Sequence, residues 1–166
     1  MQKSKGIVIF GVGETAHLAY EYFTHDSDYQ VVAFSVDPEY LNESEFLGLP
    51  VVSSNEITKQ FSPDAYGAFV AASSGKLNRV RKAVYDRVKS LGYRLVSYVS
   101  TRAFVWHNVA IGENCFILEN NTLQPFVEIG NNVVLWSGNH IGHRSVIRDH
   151  CFVSSHCVIS GFCVIN

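Results

Sequence analysis

The sequence predicts an α/β domain with a parallel sheet, followed by a parallel β-helix. Two observations lead to this prediction. Strand-like apolar segments alternate with helical patterns up to about residue 98, and from Val105 onward an aliphatic side chain recurs at every sixth position. The first pattern is typical of parallel sheets covered by helices, and the second is typical of β-helices. The chain of 166 residues is therefore expected to form two domains, residues 1–98 and 99–166.

The N-terminal domain is predicted to open with a buried strand over Lys5–Phe10, followed by a glycine turn and a helix. The later elements follow in the same alternating manner. They are a strand at Tyr29–Val36, an extended segment at 49–52, a buried strand at 68–72, a helix at 77–91 with valines four residues apart, and a last strand at 95–99. Such alternation predicts a parallel sheet with helices on both faces.

The turn after the first strand reads Gly11-x-Gly13-x-x-Ala16, and an acid, Asp37, ends the second strand. Small residues at a helix start let the backbone approach a phosphate, and an acid at the next strand end can bind a ribose or a base. With the loop Ser74-Gly75, these residues predict a nucleotide site in a Rossmann-like domain. A tight turn without a ligand is the alternative. Since the domain is short, a mononucleotide or nucleotide-sugar is favoured over NAD.

The β-helix prediction depends on two positions in each hexapeptide. A large aliphatic residue points inward, and a thin residue four places later packs near a corner. Three hexapeptides then close one triangular coil of 18 residues. The inward series is Val105, Ile111, Ile117, Leu123, Ile129, Leu135, Ile141, Ile147, Val153, Ile159 and Ile165.

Composition excludes several classes of function. The apolar content of 47%, the charged content of 17% and the net charge of −2 predict a globular protein and give no reason to expect nucleic acid or a membrane as partner. The N-terminal apolar run is too short for a signal peptide, so a cytoplasmic protein is expected. All four cysteines occupy the thin corner position of the repeat, which favours packing over disulfides or metal binding.

Five histidines lie in the repeat region, and His143 is the candidate for catalysis. It stands two places after inward Ile141, where its side chain should lie outside the prism. A histidine of this kind can accept a proton from an attacking amine or hydroxyl. His107 lies 36 residues earlier on the same edge, roughly 10 Å away at ~4.8 Å per coil. A zinc site of the γ-carbonic-anhydrase type is an alternative, but Arg148 stands where its third histidine is expected.

The joint pattern resembles bacterial sugar O- and N-acyltransferases, including sialic acid O-acetyltransferases and enzymes that acetylate UDP-4-amino sugars or GDP-perosamine. The resemblance covers essentially the whole chain. It depends on the glycine-rich α/β start, on Tyr98-Val99-Ser100, Ile111-Gly112-Glu113-Asn114 and Ile129-Gly130-Asn131-Asn132-Val133, and on Ile141-Gly142-His143 followed by Ile147-Arg148-Asp149. It implies a left-handed β-helix, a homotrimer, and acetyl-CoA as co-substrate without a metal. It also implies a groove between neighbouring prisms, to which we assign Phe152 and Gly161.

The sequence departs from the family at several positions. Arg144 replaces a residue that is often acidic, which puts in doubt a carboxylate that would orient the imidazole, and the repeat stops at Asn166, which predicts truncation at the C-terminus. The resemblance implies an acetyl-CoA-dependent acetyltransferase that modifies a nucleotide-linked sugar in bacterial surface glycan biosynthesis. A non-catalytic trimeric nucleotide-binding scaffold and a metal-dependent hydratase are the alternatives.

Overall fold

A computed structural model describes residues 5–166 of the chain. The chain divides between Val96 and Ser97 into two compact units, which are described separately. None of the helices in the described range has both the length and the apolar character needed to cross a bilayer.

The N-terminal unit contains a six-stranded sheet in the order β3-β4-β2-β1-β5-β6. All neighbouring strands are parallel except β3, which pairs antiparallel with β4. The strands are β1 (Lys5–Phe10), β2 (Tyr29–Val36), β3 (Glu45–Phe46), β4 (Leu49–Ser53), β5 (Gly67–Val70) and β6 (Arg94–Leu95). The helices are α1 (Glu14–His25), α2 (Ile57–Gln60) and α3 (Arg79–Ser90), with a 3-10 turn at Pro38–Tyr40.

The central strands form the core of this unit because most of their residues are apolar. The last four residues of β1 and all four of β5 are buried. Helix α1 packs against β1 and β2, and α3 packs against β5. The predicted parallel sheet is therefore present, with two differences. The short antiparallel strand β3 had no clear sequence pattern, and the strand predicted at 95–99 is divided into β6 and a strand of the second unit.

The second unit is a parallel β-helix of two-residue strands. They form three sheets of four strands each, in the orders β16-β13-β10-β7, β17-β14-β11-β8 and β18-β15-β12-β9. Paired strands are one coil apart, as in Phe116 with Val134. The strands are Tyr98–Val99, Phe104–Val105, Ala110–Ile111, Phe116–Ile117, Thr122–Leu123, Glu128–Ile129, Val134–Leu135, His140–Ile141, Val146–Ile147, Phe152–Val153, Val158–Ile159 and Val164–Ile165, numbered β7 to β18 in this order.

The predicted inward series forms the core of the β-helix. Every aliphatic residue from Val105 to Ile165 in that series belongs to one apolar cluster or packs against it, and Ile117, Leu123, Leu135, Ile141 and Ile147 have no exposed surface. Corner cysteines 115, 151 and 157 pack in the same cluster, and all four cysteines are free thiols. Burial raises the pKa of the Cys151 thiol, as expected for a packing residue.

Candidate functional site

The β-helix has three edges, and one of them carries His143. This edge, called the His143 edge, joins the sheet of β14 to the sheet of β15. It consists of the turns at 106–108, 124–126, 142–144 and 160–162. His107 and His143 occupy the same place in their turns, with Pro125 in the turn between them. Both histidines are exposed, so the edge presents imidazole groups to solvent.

The His143 edge has unusual residue types in the left-handed backbone conformation. From residue 114 onward the corner turns hold their third residue at a positive φ, and the other two edges use asparagine, glycine or histidine there. On the His143 edge this place belongs to Phe126, Arg144 and Phe162, with φ values of 63°, 57° and 60°. A bulky residue in the left-handed region costs on the order of 1–3 kcal/mol, and such strain is concentrated at functional sites.

The side chains on this edge form two contacting pairs. The Arg144 guanidinium lies over the Phe126 ring at 4.4 Å from its centroid. The His143 ring meets the Phe162 ring edge-to-face, with centroids 5.1 Å apart. Phe126 and Phe162 are 50% and 69% exposed, which leaves aromatic surface beside the imidazole. The Arg144 side chain is thus accommodated against an aromatic ring of the preceding coil.

The His143 side chain is held by neighbours from the coils below and above. Gln124 Oε1 accepts the backbone N–H of His143 at 2.9 Å and lies 3.3 Å from the ring atom Nδ1. Gly161 lies against the other side of the ring, since a Cβ at Gly161 would come within 2.7 Å of His143 Cε1. The imidazole therefore has a defined position although it is exposed.

Two predicted groove residues occupy different parts of the β-helix. Gly161 touches the His143 ring. Phe152 begins β16, in the sheet that does not adjoin the His143 edge, and its ring packs against Trp136 with centroids 6.5 Å apart. Within one chain, the structure brings Gly161 to His143 but does not bring Phe152 there.

The described residues give little support to the zinc-site alternative. Among residues 5–166, no group of three or more His, Cys, Asp and Glu side chains is arranged to hold a metal ion. Of the remaining repeat histidines, His150 and His156 stand at positive-φ turn positions, as expected for turn residues. His150 is also tied to the coil below, where its Nδ1 lies 3.0 Å from Asn132 Nδ2.

A pocket of about 280 Å³ lies in the N-terminal unit at the carboxyl ends of β1 and β2. The sheet order changes direction at β1, because β2 and β5 lie on opposite sides of it. Ligands of open α/β sheets bind at such a point. The lining residues are Phe10, Gly11, Val12, Ser35, Val36, Asp37, Tyr40, Ala72, Val80, Val84 and Arg87.

Of the predicted nucleotide-binding residues, Gly11 and Asp37 line this pocket. The Gly11 N–H is already used, since it donates to the Ser35 carbonyl at 2.8 Å, and a Cβ at Gly11 would lie 2.9 Å from the Ala71 carbonyl oxygen. Gly11 is thus required by the strand packing itself. Gly13 has open space around it and precedes α1. The residues Ser74 and Gly75 are exposed in the loop before α3 and do not line the pocket.

Asp37 has two partners that the sequence did not reveal. Its Oδ1 accepts the Ser54 hydroxyl at 2.9 Å and pairs with Arg87 Nη1 at 2.5 Å. Arg87 belongs to α3. The valine spacing of this helix predicted an apolar face with Val80 and Val84 but did not indicate a role for Arg87. Helix α3 also buries Arg81, whose Nη1 donates to the Val70 carbonyl at 2.7 Å and fixes the end of β5 beside the pocket.

Two polar atoms of this pocket are buried without a hydrogen-bond partner among the described residues. They are the Oγ of Ser35, a fully buried residue, and the Nε of Arg87. An unsatisfied buried polar group costs about 1–3 kcal/mol, so such atoms are normally satisfied by water or a ligand. The pocket therefore offers one hydroxyl, one guanidinium and one carboxylate to a polar ligand.

Comparison with known proteins agrees with the β-helix. Residues 108–143 and 126–161 match the family described as Bacterial transferase hexapeptide (six repeats). Both matches lie within the second unit. A comparison with curated protein sequences gives no match.

Several solved structures share the fold over nearly the whole chain. The acetyltransferase domain of PglB from Neisseria gonorrhoeae FA1090 has a TM-score of 0.75 at 16% identity, over 92% of this chain and 72% of that one. WeeI from Acinetobacter baumannii AYE gives 0.75 at 19%, over 95% and 73%. A variant of GDP-perosamine N-acetyl transferase from Caulobacter crescentus, in complex with CoA and GDP-perosamine, gives 0.67 at 19%, over 96% and 84%. The predicted resemblance to bacterial sugar acyltransferases is confirmed in repeat and fold.

Proposed function

We propose that the protein is an acetyl-CoA-dependent acetyltransferase that modifies an amino or hydroxyl group of a nucleotide-linked sugar in bacterial surface glycan biosynthesis. Residues 1–98 would form a Rossmann-like nucleotide-sugar domain, and residues 99–166 a left-handed β-helix that carries the chemistry. We expect a cytoplasmic homotrimer. The fold similarity to acetyltransferases, one of them with CoA and a nucleotide-sugar, supports this assignment.

The observation that carries the proposal is the geometry of His143. The imidazole is exposed on a hexapeptide edge and is held through Nδ1 and the backbone N–H of His143. In the proposed reaction, Nε2 is the atom that accepts the proton. In the proposed reaction, the sugar nitrogen or oxygen attacks the thioester carbonyl carbon while His143 takes its proton. The C–S bond then breaks, and the CoA sulfur leaves and is protonated. Proton transfer of this kind contributes about 10²–10⁴-fold to a rate.

The nucleotide is assigned to the pocket at the carboxyl ends of β1 and β2. Gly11 shapes it and Gly13 leaves open space at the start of α1, where a helix favours phosphate. Asp37 and the unsatisfied atoms of Ser35 and Arg87 offer hydrogen bonds to a base or ribose. Ser74 and Gly75, before α3, complete the proposed binding set.

Acetyl-CoA is assigned to a groove between neighbouring prisms of the homotrimer. Gly161 belongs to the His143 edge and Phe152 to another sheet. Both residues can line one groove if the edge of one subunit meets the sheet of the next. We expect no metal requirement.

The direct test is an assay with acetyl-CoA and a panel of UDP-, GDP-, CMP- and dTDP-linked amino and hydroxy sugars. Product mass and CoA release are measured together. One sugar that gains an acetyl group with stoichiometric CoA release supports the proposal and names the substrate. Nucleotide binding without CoA release on any member would contradict it and favour the non-catalytic scaffold.

A further inference from the structure

The His143 backbone N–H has a different kind of acceptor from its counterparts on another edge. The N–H groups of Glu113 and Asn131 each donate to a side-chain oxygen one coil above, at 3.0 Å and 2.7 Å. The residue one coil above His143 is Gly161, which has no side chain. Gln124, from the coil below, supplies the oxygen instead at 2.9 Å.

This backbone contact fixes which end of the Gln124 amide faces His143. A backbone N–H is only a donor, so the atom that receives it must be the amide oxygen and not the amide nitrogen. The same oxygen lies 3.3 Å from His143 Nδ1. Because an amide oxygen only accepts, a hydrogen bond at this position requires hydrogen on Nδ1. In the neutral ring, Nε2 then holds the lone pair.

We propose that Gln124 is a positioning residue that holds His143 in the tautomer with hydrogen on Nδ1 and a basic lone pair on Nε2. This inference rests on the proposed function. Gln124 suits the task because its backbone is fixed in the coil ladder, donating to Ile141 at 3.1 Å and accepting from Val127 at 3.3 Å. A 3.3 Å contact is long for a hydrogen bond, and contacts of catalytic groups commonly tighten when substrate binds.

Gln124 provides this orientation without a charge. The described groups packed on the His143 ring are Gln124, Gly161 and Phe162, and the adjacent Arg144 directs its guanidinium to Phe126. Gln124, Gly161 and Phe162 are all uncharged. An amide in this place orients the imidazole, but it stabilises the imidazolium less than a carboxylate would.

The kinetic test compares two variants. Gln124→Leu removes the acceptor, and we expect kcat to fall on the order of ten- to a hundredfold with little change in KM. Gln124→Glu keeps an acceptor and adds a charge, so activity is retained while the acid limb of the rate–pH profile moves to higher pH. Asn108→Leu is the matched control, because the Asn108 side chain accepts the Phe126 N–H at 3.0 Å on the same edge without touching His143.

A spectroscopic test is independent of turnover. Long-range proton–nitrogen NMR of ¹⁵N-histidine protein, assigned with His143→Ala, reports the tautomer of His143 directly. The neutral ring of the wild type is expected to carry hydrogen on Nδ1 and that of Gln124→Leu to shift toward Nε2–H, the form favoured in free histidine. An Nε2–H ring in the wild type, or no change in Gln124→Leu, would overturn the inference. An Nδ1–H ring in a protein that transfers no acetyl group would support it while refuting the proposed function.

Discussion

The imidazole of His143 packs directly against Gly161, which lies in the next coil. A methyl group at Gly161 would lie 2.7 Å from Cε1 and 3.0 Å from Nδ1 of the ring. The ring therefore keeps its place between Gln124 and Gly161 only because position 161 lacks a side chain. Two residues eighteen positions apart in the sequence thus define the orientation of the proposed base.

Gly161→Ala should displace the His143 ring from Gln124 and lower kcat by on the order of a hundredfold, because misplacement of a reacting group by about 1 Å can cost that much. Gly138→Ala is the matched control. A Cβ there would lie 2.6 Å from the His156 ring, at a backbone φ of 80°, so it disturbs another glycine–histidine pair at least as strongly. Equal activity loss in both variants would show a general packing defect instead.

Asp37→Asn should weaken nucleotide binding about ten- to a hundredfold, since hydrogen bonds to a charged group contribute about 1.5–3 kcal/mol. It also weakens the contact with Arg87 that orders the pocket. Calorimetric titration with UDP, GDP, CMP and dTDP measures the effect. Asp86→Asn removes a carboxylate from an exposed pair with Lys82 on α3 and should leave affinity unchanged. Unaltered or tighter binding in Asp37→Asn would remove Asp37 from the site.

Ile117→Ala should destabilise the β-helix by about 2–5 kcal/mol, whereas Ile117→Val should cost about 0.5–1.5 kcal/mol. Ile117 has no exposed surface and lies within the apolar cluster of the prism. Urea unfolding of the two variants measures the graded loss. Equal, small losses would mean that the inward position is not closely packed.

Tyr93 should make the free energy of unfolding depend on pH in the alkaline range. Burial raises the pKa of Tyr93 to about 12, and its hydroxyl donates to the Phe61 carbonyl. In the unfolded chain a tyrosine titrates near pH 10. The stabilisation is therefore fully present below about pH 10 and is lost as the pH rises toward 12.

Urea midpoints across that range provide the measurement. The wild type should lose more stability between pH 10 and 12 than Tyr93→Phe, which cannot ionise. Tyr40→Phe, at a side chain that is 60% exposed, should follow the wild type. Parallel curves for wild type and Tyr93→Phe would contradict the assignment.

The sequence predicted those features that depend on periodicity. The six-residue recurrence placed the inward aliphatics correctly and put His143 outside the prism, because a parallel coil returns each position to the same face. It did not reveal Gln124, which contacts His143 from the preceding coil. The two residues are 19 positions apart, whereas equivalent residues of successive coils are 18 positions apart, as in Phe116 and Val134. The equivalent places in the other coils hold Trp106, Gly142 and Ser160, so this contact leaves no periodic signal.

The N-terminal pocket shows the same limit. Gly11 and Asp37 follow strands that the apolar pattern identifies, so their meeting at one sheet edge was predictable. Arg87 was not, since a helical pattern shows which face is apolar but not which strand end a long side chain reaches. The strand predicted at 95–99 was wrong because Val96 closes the first unit, whereas Ser97 belongs to the second. When β propensity is high along a whole segment, it does not show where one strand ends and the next begins to pair with a different sheet.

The most direct test of the proposed chemistry is acetyl transfer by His143→Ala, compared with wild type on the sugar that the panel identifies. Product mass and CoA release are followed at saturating acetyl-CoA, and nucleotide affinity is measured on the same preparations. Loss of at least about a hundredfold in kcat with unchanged nucleotide affinity is the predicted result. Undiminished turnover in His143→Ala, or an equal loss of turnover and nucleotide binding, would contradict the role of His143 as the base.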